Sequence, residues 1–385
     1  MNKVLFDLSA CQPNRESKFH GGGIYGKIVF QRLVDISPQN LAAFYFSSRF
    51  LDPELSALIK ERAISTYDGD VISFGEAYRL SKADIVYSPL FNERHDAVIK
   101  NGARYYVTIH GLRSLEMLTD KMEPSYATSF NMWLKAKMKG SLMRKKVYER
   151  NYNRYGHLLN AENVHVVTVS NHSKHSIKVY YPHVSTDNID VFYSPSTTIE
   201  NYKQFDVKSR DKYYLIISAN RWLKNAGRAI FALDMLFDSS PSLCRSVKVL
   251  GLKKSTRIYK SIKNKGKFEL LGYQSQGDLE RLYSGAYAFI YPTLNEGFGY
   301  PPLEAMKYGT PVISSPFSSI PEVCGDAIIY ANPYSIEEIA NRILQLEDKC
   351  LWNEYNRRGL ERYQIINEKQ NRDLQNLCSL LLEGK

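Results

Sequence analysis

Short apolar runs rich in Val, Ile, Phe and Tyr alternate along this chain with longer stretches whose apolar residues recur at helical spacing. This alternation is typical of a parallel sheet covered by helices. The runs predict strands at residues 4–8, 41–46, 84–87, 105–109 and 164–169, and again at 214–218, 247–250, 268–271, 288–291, 311–314 and 327–330. A polar stretch at residues 193–211 separates the two sets and predicts an interdomain linker.

The length of the chain, 385 residues, exceeds what one hydrophobic core usually supports. We therefore predict an α/β protein with two doubly wound domains, at residues 1–200 and 201–365. No run of eighteen apolar residues occurs and the amino terminus enters a strand directly, so the sequence predicts neither a membrane span nor a signal peptide, and a cytoplasmic location. The five cysteines are scattered, which argues against a disulfide framework and structural zinc.

The most informative stretch follows the predicted strand at 288–291, where Glu296 and Glu304 lie eight positions apart. Two glycines follow the first glutamate and two prolines precede the second, a composition that predicts a loop running into a helix. Parallel sheets bind ligands at the carboxyl ends of their strands, and the amino terminus of a helix suits a phosphate. Carboxylates accept hydrogen bonds from hydroxyls. The stretch thus predicts a ligand with phosphate and hydroxyls, such as a nucleotide sugar; a turn with two solvated glutamates is the alternative.

This pair resembles the E-x7-E signature of retaining glycosyltransferases of family 4, which have the GT-B fold of two Rossmann-like domains facing a central cleft. The resemblance continues in the family's order from Leu271 to Ala327. It implies a metal-independent transfer, without a cofactor, of a hexose-type sugar from a UDP-, GDP- or dTDP-sugar to a saccharide or lipid-linked saccharide, as in bacterial O-antigen, capsule or exopolysaccharide synthesis. It also implies a last helix at 366–385 that packs on the amino-terminal domain. The donor-binding residues implied in this stretch are Gly272, Tyr273, Glu296, Gly297, Phe298, Gly299 and Glu304.

Two cations, Arg221 and Lys224, follow the predicted strand at 214–218 and precede a helical pattern. Cations at such a position are suited to a diphosphate. They resemble the Arg/Lys pair with which the family binds the donor phosphates, although many members space the two residues more widely. The resemblance implies that both cations are catalytic and stabilise the leaving diphosphate. It implies that Glu296 is also catalytic and binds sugar hydroxyls, while Glu304 binds ribose hydroxyls. Two solvated cations are the alternative.

Residues 20–26 contain Gly-x-Gly-x-x-Gly, but the distance from the first strand and the lack of an acidic residue after the second argue against a dinucleotide. The resemblance implies instead a glycine loop that opens a helix at Ile24 and contributes Gly22 and Gly23 to donor binding; a surface loop is the alternative. His110 ends the predicted strand at 105–109. A lone histidine is usually packed or solvated, but this one matches the family histidine that contacts the donor sugar, which implies a catalytic role.

Positive charge is the remaining signal, with a net charge of +11. Residues 131–157 hold one acidic residue, Glu149, and apolar residues at three- and four-residue intervals among eight cations: Lys135, Lys137, Lys139, Arg144, Lys145, Lys146, Arg150 and Arg154. The pattern predicts a basic amphipathic helix that attaches the protein to the anionic inner face of the cytoplasmic membrane. A core helix with a solvated basic face is the alternative. No helix-turn-helix, RNA-recognition or zinc pattern supports nucleic-acid binding.

Two other functions stay open at this point. A sugar-nucleotide epimerase shares the GT-B architecture, but the chain lacks a recognisable histidine and carboxylate set for epimerisation. A non-catalytic module that binds membrane or nucleic acid would depend on the basic segment alone. Binding of a nucleoside diphosphate and transfer of sugar would distinguish an enzyme of the predicted kind from both.

Overall fold

The computed structural model describes residues 1–13, 21–92, 95–196, 213–240, 243 and 245–384. The chain divides into two compact units. The first unit comprises Met1–Leu112, Asn151–Glu200 and Asn367–Lys385, and the second comprises Arg113–Arg150 and Asn201–Ile366. The predicted linker at 193–211 lies mostly outside the described residues.

The described part of the first unit contains one sheet of seven parallel strands: β1 (Val4–Asp7), β2 (Leu41–Tyr45), β3 (Ser65–Asp68), β4 (Ile85–Ser88), β5 (Arg104–Ile109), β6 (Val164–Thr168) and β7 (Ile189–Val191). Their spatial order is β3-β2-β1-β4-β5-β6-β7, so the direction of the connections reverses between β1 and β4. Every side chain of β1 and β4 is buried, as expected of parallel strands covered on both faces.

The second unit repeats this arrangement with six parallel strands among its described residues: β8 (Tyr213–Ile216), β9 (Ser246–Leu250), β10 (Phe268–Leu271), β11 (Ala288–Tyr291), β12 (Val312–Ser314) and β13 (Ile329–Tyr330). The spatial order is β10-β9-β8-β11-β12-β13, and the connections reverse between β8 and β11. Both sheets therefore have the doubly wound topology predicted from the sequence.

Each strand predicted from the sequence is present within two residues of its predicted bounds. The strands that the pattern missed are β3 and β7. Both are edge strands of the first sheet, and neither is a continuous buried apolar run: β3 reads Ser-Thr-Tyr-Asp and β7 is three residues long. A short or polar edge strand is held by hydrogen bonds to its neighbour, so its composition gives little signal.

The helices of the described residues, in chain order, are α1 (Gly21–Ile36), α2 (Pro53–Glu61), α3 (Phe74–Ser81), α4 (Asp96–Lys100), α5 (Arg113–Glu116), α6 (Phe130–Gly140), α7 (Arg144–Leu159), α8 (Asn171–Tyr180), α9 (Ala226–Ser239), α10 (Arg257–Ser261), α11 (Gln276–Gly285), α12 (Tyr300–Lys307), α13 (Ile320–Cys324), α14 (Ile336–Gln345) and α15 (Lys349–Glu383). In the first unit, Asp373 of α15 accepts a hydrogen bond from the backbone N–H of Tyr193 at 2.8 Å, and Gln370 donates to the carbonyl of Ser194 at 2.6 Å. This is the part of the chain that the resemblance placed against the amino-terminal domain.

The segment at 113–150 differs from the sequence-based division of the chain. It lies between β5 and β6 of the first sheet in sequence, so we expected it within the domain at 1–200, but its contacts place it in the second unit. There the hydroxyl of Tyr126 accepts from the backbone N–H of Gly227 at 2.8 Å, and Asp120 pairs with Arg228 at 3.0 Å. Chain order predicts membership of a sheet, but it carries no information on where an excursion between two strands packs.

The basic segment forms two helices, α6 and α7, where the sequence predicted one. The break falls at Gly140 and Ser141, because glycine and serine are weaker helix formers than the residues around them. No helix among the described residues is long and apolar enough to cross a bilayer.

Candidate functional site

The carboxyl ends of β8 and β11 meet where the second sheet reverses its connections. The two strands are paired neighbours, and each continues to a strand on its own outer side, β9 and β12. Loops that leave such strands diverge and form the crevice in which open parallel sheets bind ligands. The predicted residues Arg221 and Lys224 follow β8, and Glu296 follows β11. The topology thus explains why residues 72 positions apart in the chain meet.

Lys224 and Glu296 form a buried ion pair at this point. The Lys224 ammonium lies 2.5 Å from Oε1 of Glu296, and each residue exposes 6% of its surface. The hydroxyls of Tyr291 and Thr293 donate to the same oxygen at 2.7 and 3.1 Å. Three donors on one carboxylate oxygen hold the Glu296 side chain in a single orientation.

The charges around this ion pair are not balanced. Burial lowers the pKa of Lys224 to about 8; the negative charge of Glu296 opposes that shift, and the positive charges of Arg113 and Arg221 add to it. Burial alone would raise the pKa of Glu296, but Lys224 and Arg113 lower it below its ordinary value. Glu296 therefore stays ionised at neutral pH, while Lys224 holds its proton less firmly than an exposed lysine does. Such shifted values in neighbouring groups are typical of functional sites.

Strained backbone surrounds the same loops. Ser218, Asn225 and Ser318 adopt left-handed conformations, with φ of 54°, 58° and 53°. The Ser318 hydroxyl accepts from the backbone N–H of Glu296 at 2.8 Å, and the Asn225 amide donates to the carbonyl of Pro292 at 2.9 Å. Residues other than glycine adopt this conformation at an energetic cost, and they do so preferentially at ligand sites. Side-chain hydrogen bonds to the backbone stabilise the strained loops here.

Gly297, Phe298 and Gly299 lead from Glu296 into α12. Gly299 has a φ of 121°, and a Cβ at this position would lie 3.1 Å from Ile320. Glycine tolerates both constraints. The helix α12 begins at the next residue with prolines in its first turn, as the sequence predicted. Its unpaired N–H groups face the end of the loop and are suited to an anion.

The remaining predicted residues of the second unit lie further along these elements. Glu304 is half-buried in α12. Burial and the negative charge of Glu304 raise the pKa of Tyr283 well above its ordinary value. Gly272 and Tyr273 follow β10, the edge strand two positions from β8, and Tyr273 exposes 81% of its surface. The donor-binding roles of these residues stay predictions.

The predicted residues of the first unit lie near the switch point of the first sheet. Gly22 and Gly23 are in the first turn of α1, so the expectation of a glycine loop before a helix at Ile24 is wrong: the helix already begins at Gly21. Glycine at position 22 allows this first turn to lie close to Leu90, because a Cβ on Gly22 would be 2.6 Å from its side chain.

His110 follows β5 and is packed within the first unit. Its Nε2 is 2.9 Å from the carbonyl oxygen of Pro89, and its ring lies edge-on to Tyr25 with centroids 4.7 Å apart. The carbonyl can only accept, so Nε2 carries the proton. Whether His110 contacts a donor sugar stays a prediction.

Sequence reasoning missed several residues of the site. The hydroxyls of Tyr291, Thr293 and Ser318 are short-range neighbours of the motif but have no recognisable spacing of their own. Arg113 was missed for a different reason, because its segment was assigned to the other domain. One signal was available: Arg113 follows His110 by three positions, within a stretch that the resemblance had already marked.

Known proteins are similar to this chain in sequence and in fold. Residues 198–362 match the family model described as Glycosyl transferases group 1. The chain is 45% identical over 89 residues, 23% of each chain, to O-antigen chain mannosyltransferase B of Escherichia coli. It is 31% identical over 210 residues to O-antigen chain mannosyltransferase RfbU of Salmonella typhimurium, which is 54% of this chain and 57% of the relative. The chain thus spans less than two thirds of either relative.

The structure of HepE from Anabaena in complex with UDP and glucose is similar along its whole length, with a TM-score of 0.66, 12% identity and 100% coverage of both chains. This likeness confirms the predicted GT-B fold with two Rossmann-like domains. The family match confirms the resemblance to group 1 glycosyltransferases, which is carried by the carboxyl-terminal half of the chain.

Proposed function

We propose that this protein transfers a hexose from a nucleotide-sugar donor to a saccharide or lipid-linked saccharide in the synthesis of a bacterial surface polysaccharide such as O-antigen. The observation that carries the proposal is the Lys224–Glu296 pair at the switch point of the second sheet, with Arg113 and Arg221 as neighbouring cations. The family match over residues 198–362 supports it. The names of the two curated relatives favour mannose as the sugar.

In the proposed reaction, the bond between the anomeric carbon and the β-phosphate oxygen breaks while a glycosidic bond forms to an acceptor hydroxyl. Arg221 and Lys224 stabilise the charge that develops on the leaving diphosphate, in place of a metal ion. The acceptor proton passes to a leaving phosphate oxygen, and the anomeric configuration is retained. A carboxylate offers about four acceptor positions, so Glu296 can hold Lys224 and still accept from a sugar hydroxyl. Glu304 binds ribose hydroxyls.

The roles of Gly22, Gly23, His110, Gly272 and Tyr273 in donor binding rest on the resemblance alone. They form part of the proposal as contacts to be tested one at a time. Of the five residues, His110 is the most informative to substitute. Its contacts with Pro89 and Tyr25 predict a packed ring whose orientation is fixed.

A donor panel tests the proposed function. GDP-mannose, UDP-glucose and a dTDP-hexose are added to the protein, and thermal shift and hydrolysis or transfer of the sugar are measured. We expect one nucleotide sugar of the panel to stabilise the protein. Its sugar should be transferred with retention of the anomeric configuration, also in the presence of EDTA. Stabilisation with interconversion of the donor sugar and no transfer would indicate an epimerase. No response to any nucleotide would leave the basic segment as the main functional feature.

We also propose that α6, α7 and the turn between them attach the protein to an anionic membrane. Apolar side chains on this surface are exposed, including Leu142 at 86%, Phe130 at 68% and Met132 at 51%. Exposed cations lie among them: Lys135, Lys137, Arg144, Lys145, Lys146 and Arg150. Lys139 is occupied by an ion pair with Glu123 at 2.8 Å. Each cation near an anionic bilayer contributes about 1 kcal/mol, enough together for reversible attachment.

Vesicle sedimentation tests the attachment. We expect binding to vesicles that contain anionic lipid, with weaker binding at high salt and on neutral vesicles. Changing Lys135, Lys145, Lys146 and Arg150 to Gln should remove most binding. The matched control changes Lys265, Arg281, Lys349 and Arg357 to Gln, which removes the same charge from exposed positions of the second unit outside α6 and α7. If the wild-type protein stays in the supernatant with anionic vesicles at low salt, this part of the proposal fails.

A further inference from the structure

The segment from Arg113 to Tyr126, called here the α5 segment, contacts the loops of the candidate site at several points. Asn295, next to Glu296 in sequence, donates to Oε2 of Glu116 at 2.6 Å. Further along, the Tyr126 hydroxyl accepts from the backbone N–H of Gly227 at 2.8 Å. The segment therefore contacts two parts of the site: the loop that carries Glu296, and the first turn of α9, which follows Lys224.

A buried ion pair fixes the middle of the α5 segment. Both guanidinium nitrogens of Arg228 donate to Asp120, one to each carboxylate oxygen at 3.0 Å, and each of these side chains is more than nine-tenths buried. A bidentate pair of this kind restricts both position and orientation. Gly227 allows the close approach, because a Cβ there would lie 2.9 Å from Met122 and 3.1 Å from the Tyr126 hydroxyl.

The geometry of α5 places Arg113 beside the ion pair. Arg113 and Glu116 are three positions apart in one helical turn, so they lie on the same face. Since Glu116 is held by Asn295, this face is turned to the loop of Glu296. The electrostatics agree with this placement: the positive charge of Arg113 acts on Lys224, Glu296 and Tyr291.

We propose that Arg113 is a third phosphate-binding cation of the donor site, which acts with Arg221 and Lys224 on the diphosphate of the nucleotide sugar. The inference deepens the proposed function and rests on it. Arg113 and Arg221 repel Lys224, and a dianionic group that enters between these cations attracts each of them and so offsets the repulsion. Arginine suits such a role because its planar guanidinium binds phosphate oxygens in a bidentate manner.

The α5 segment would thus supply a donor contact from a stretch of chain that lies between two strands of the first sheet. Asn295–Glu116, Arg228–Asp120 and Gly227–Tyr126 are its anchors, and Arg113 is the ligand-binding group. Sequence motifs of the carboxyl-terminal half do not include this residue.

Isothermal titration of the 385-residue chain with GDP, UDP and inorganic pyrophosphate tests the assignment. Arg113→Gln should weaken whichever nucleotide binds by roughly 10- to 100-fold, the range for one charge-assisted hydrogen bond, and should weaken pyrophosphate by a similar factor. Arg113→Lys should recover part of the loss. The matched control is Arg257→Gln, which removes an exposed arginine of the same unit that stacks on Trp133 at 4.8 Å; it should bind as the wild type does.

The outcomes separate this inference from the proposed function. Wild-type affinity for nucleotide and pyrophosphate in Arg113→Gln, with an unchanged melting temperature, overturns the role of Arg113 and leaves the glycosyltransferase proposal intact. If the wild-type protein binds neither nucleotide nor pyrophosphate, the proposed function fails and this inference with it. A lower melting temperature in Arg113→Gln, with no recovery of affinity in Arg113→Lys, assigns Arg113 a structural role and also overturns the inference.

Discussion

Each unit carries a buried carboxylate at the switch point of its sheet, on the first strand of the pair in one unit and after the second strand in the other, and the surroundings of the two carboxylates differ. In the first unit, Asp7 ends β1, and the Ser88 hydroxyl at the end of β4 donates to it across the switch point at 3.0 Å. In the second unit, Lys224 follows β8 and pairs with Glu296 after β11 across the equivalent point. The doubly wound topology thus places a charged contact at both switch points.

The network around Asp7 is closed. Its carboxylate lies 3.2 Å from Nε2 of His95, accepts from Ser9 and Ser88, and is completely buried. The other nitrogen of His95 contacts the Tyr105 hydroxyl at 2.5 Å. Burial would raise the pKa of Asp7, but His95 and the two serines lower it. Every group named here already has a partner within the unit, as expected of a structural network.

The network around Glu296 has a surplus of positive charge instead. Lys224 satisfies Glu296, but Arg113 and Arg221 both act on Lys224 and disfavour its charged form. The comparison teaches that the position in the fold does not by itself make a functional site. The first switch point holds a network whose groups contact one another, whereas at the second we propose that an anionic ligand binds the neighbouring cations.

The largest expected effect follows from removing the central cation. Lys224→Ala should lower kcat/KM for transfer by about 30- to 1,000-fold, because one oriented group that stabilises transition-state charge contributes about 2 to 4 kcal/mol. Steady-state kinetics with the donor identified by the panel measure this. Lys253→Ala, which removes an exposed lysine of the same unit, is the control. Unchanged kcat/KM in Lys224→Ala would remove the basis of the proposed site.

The comparison itself is tested by an exchange of carboxylates for amides. Asp7→Asn should lower the melting temperature by about 2 to 10 °C, because a buried hydrogen-bonded charge contributes about 1 to 3 kcal/mol, and should leave nucleotide affinity unchanged. Glu296→Gln should lower the rate of transfer by more than tenfold and should lower the melting temperature less than Asp7→Asn does. Differential scanning fluorimetry, titration calorimetry and steady-state kinetics of transfer with both variants measure these effects. If Asp7→Asn weakened nucleotide binding while Glu296→Gln left transfer unchanged, the distinction between the two switch points would be reversed.

The two glutamates of the motif should divide the donor between them. Glu304→Ala should weaken binding of the free nucleoside diphosphate about tenfold, the cost of losing a charged hydrogen-bond acceptor. Glu296→Ala should act mainly on the sugar-dependent step and be seen in kcat. Calorimetry with the nucleotide and kinetics with the nucleotide sugar separate the two. An equal loss of nucleotide affinity in both variants would contradict the assignment.

Features of the fold and of the candidate site could be predicted from the sequence where neighbouring residues determine them, and could not where residues distant in the chain do. Both sheets followed from apolar runs, and the loop from Glu296 to Glu304 followed from glycine and proline placement next to a predicted strand. The helical start at Gly21 was missed because glycine is a poor helix former. The residue against which this turn packs, Leu90, lies far away in sequence. The membership of Arg113 in the second unit depends on contacts with Asn295 and Arg228, which no local pattern encodes.

The break in the basic segment shows the same limit at shorter range. The three- and four-residue periodicity predicted one helix over 131–157, and the periodicity is real on either side of Ser141. A period describes the faces of a helix but is silent on where the helix ends. Gly140 and Ser141, the last residue and the C-cap of α6, indicate where this helix ends. The regular spacing of the cations on either side suggested a continuous helix instead.

The smallest expected effect concerns pH and isolates Lys224. With a pKa of about 8, Lys224 is predominantly charged at pH 7 and loses its charge as the pH rises through that value. Nucleotide affinity should therefore fall about fourfold between pH 7 and 8.5, while the phosphates, with a last pKa near 6, change little. Of the groups that act on Lys224, Glu296 has a lowered pKa and therefore stays ionised across this window. Lys224→Arg keeps its charge at every pH used and should give a flat profile, measured by titration calorimetry in buffers of matched ionic strength. A decline of the same size in Lys224→Arg would assign the titration to another group, and the surplus of positive charge at the second switch point would then lack its expected consequence.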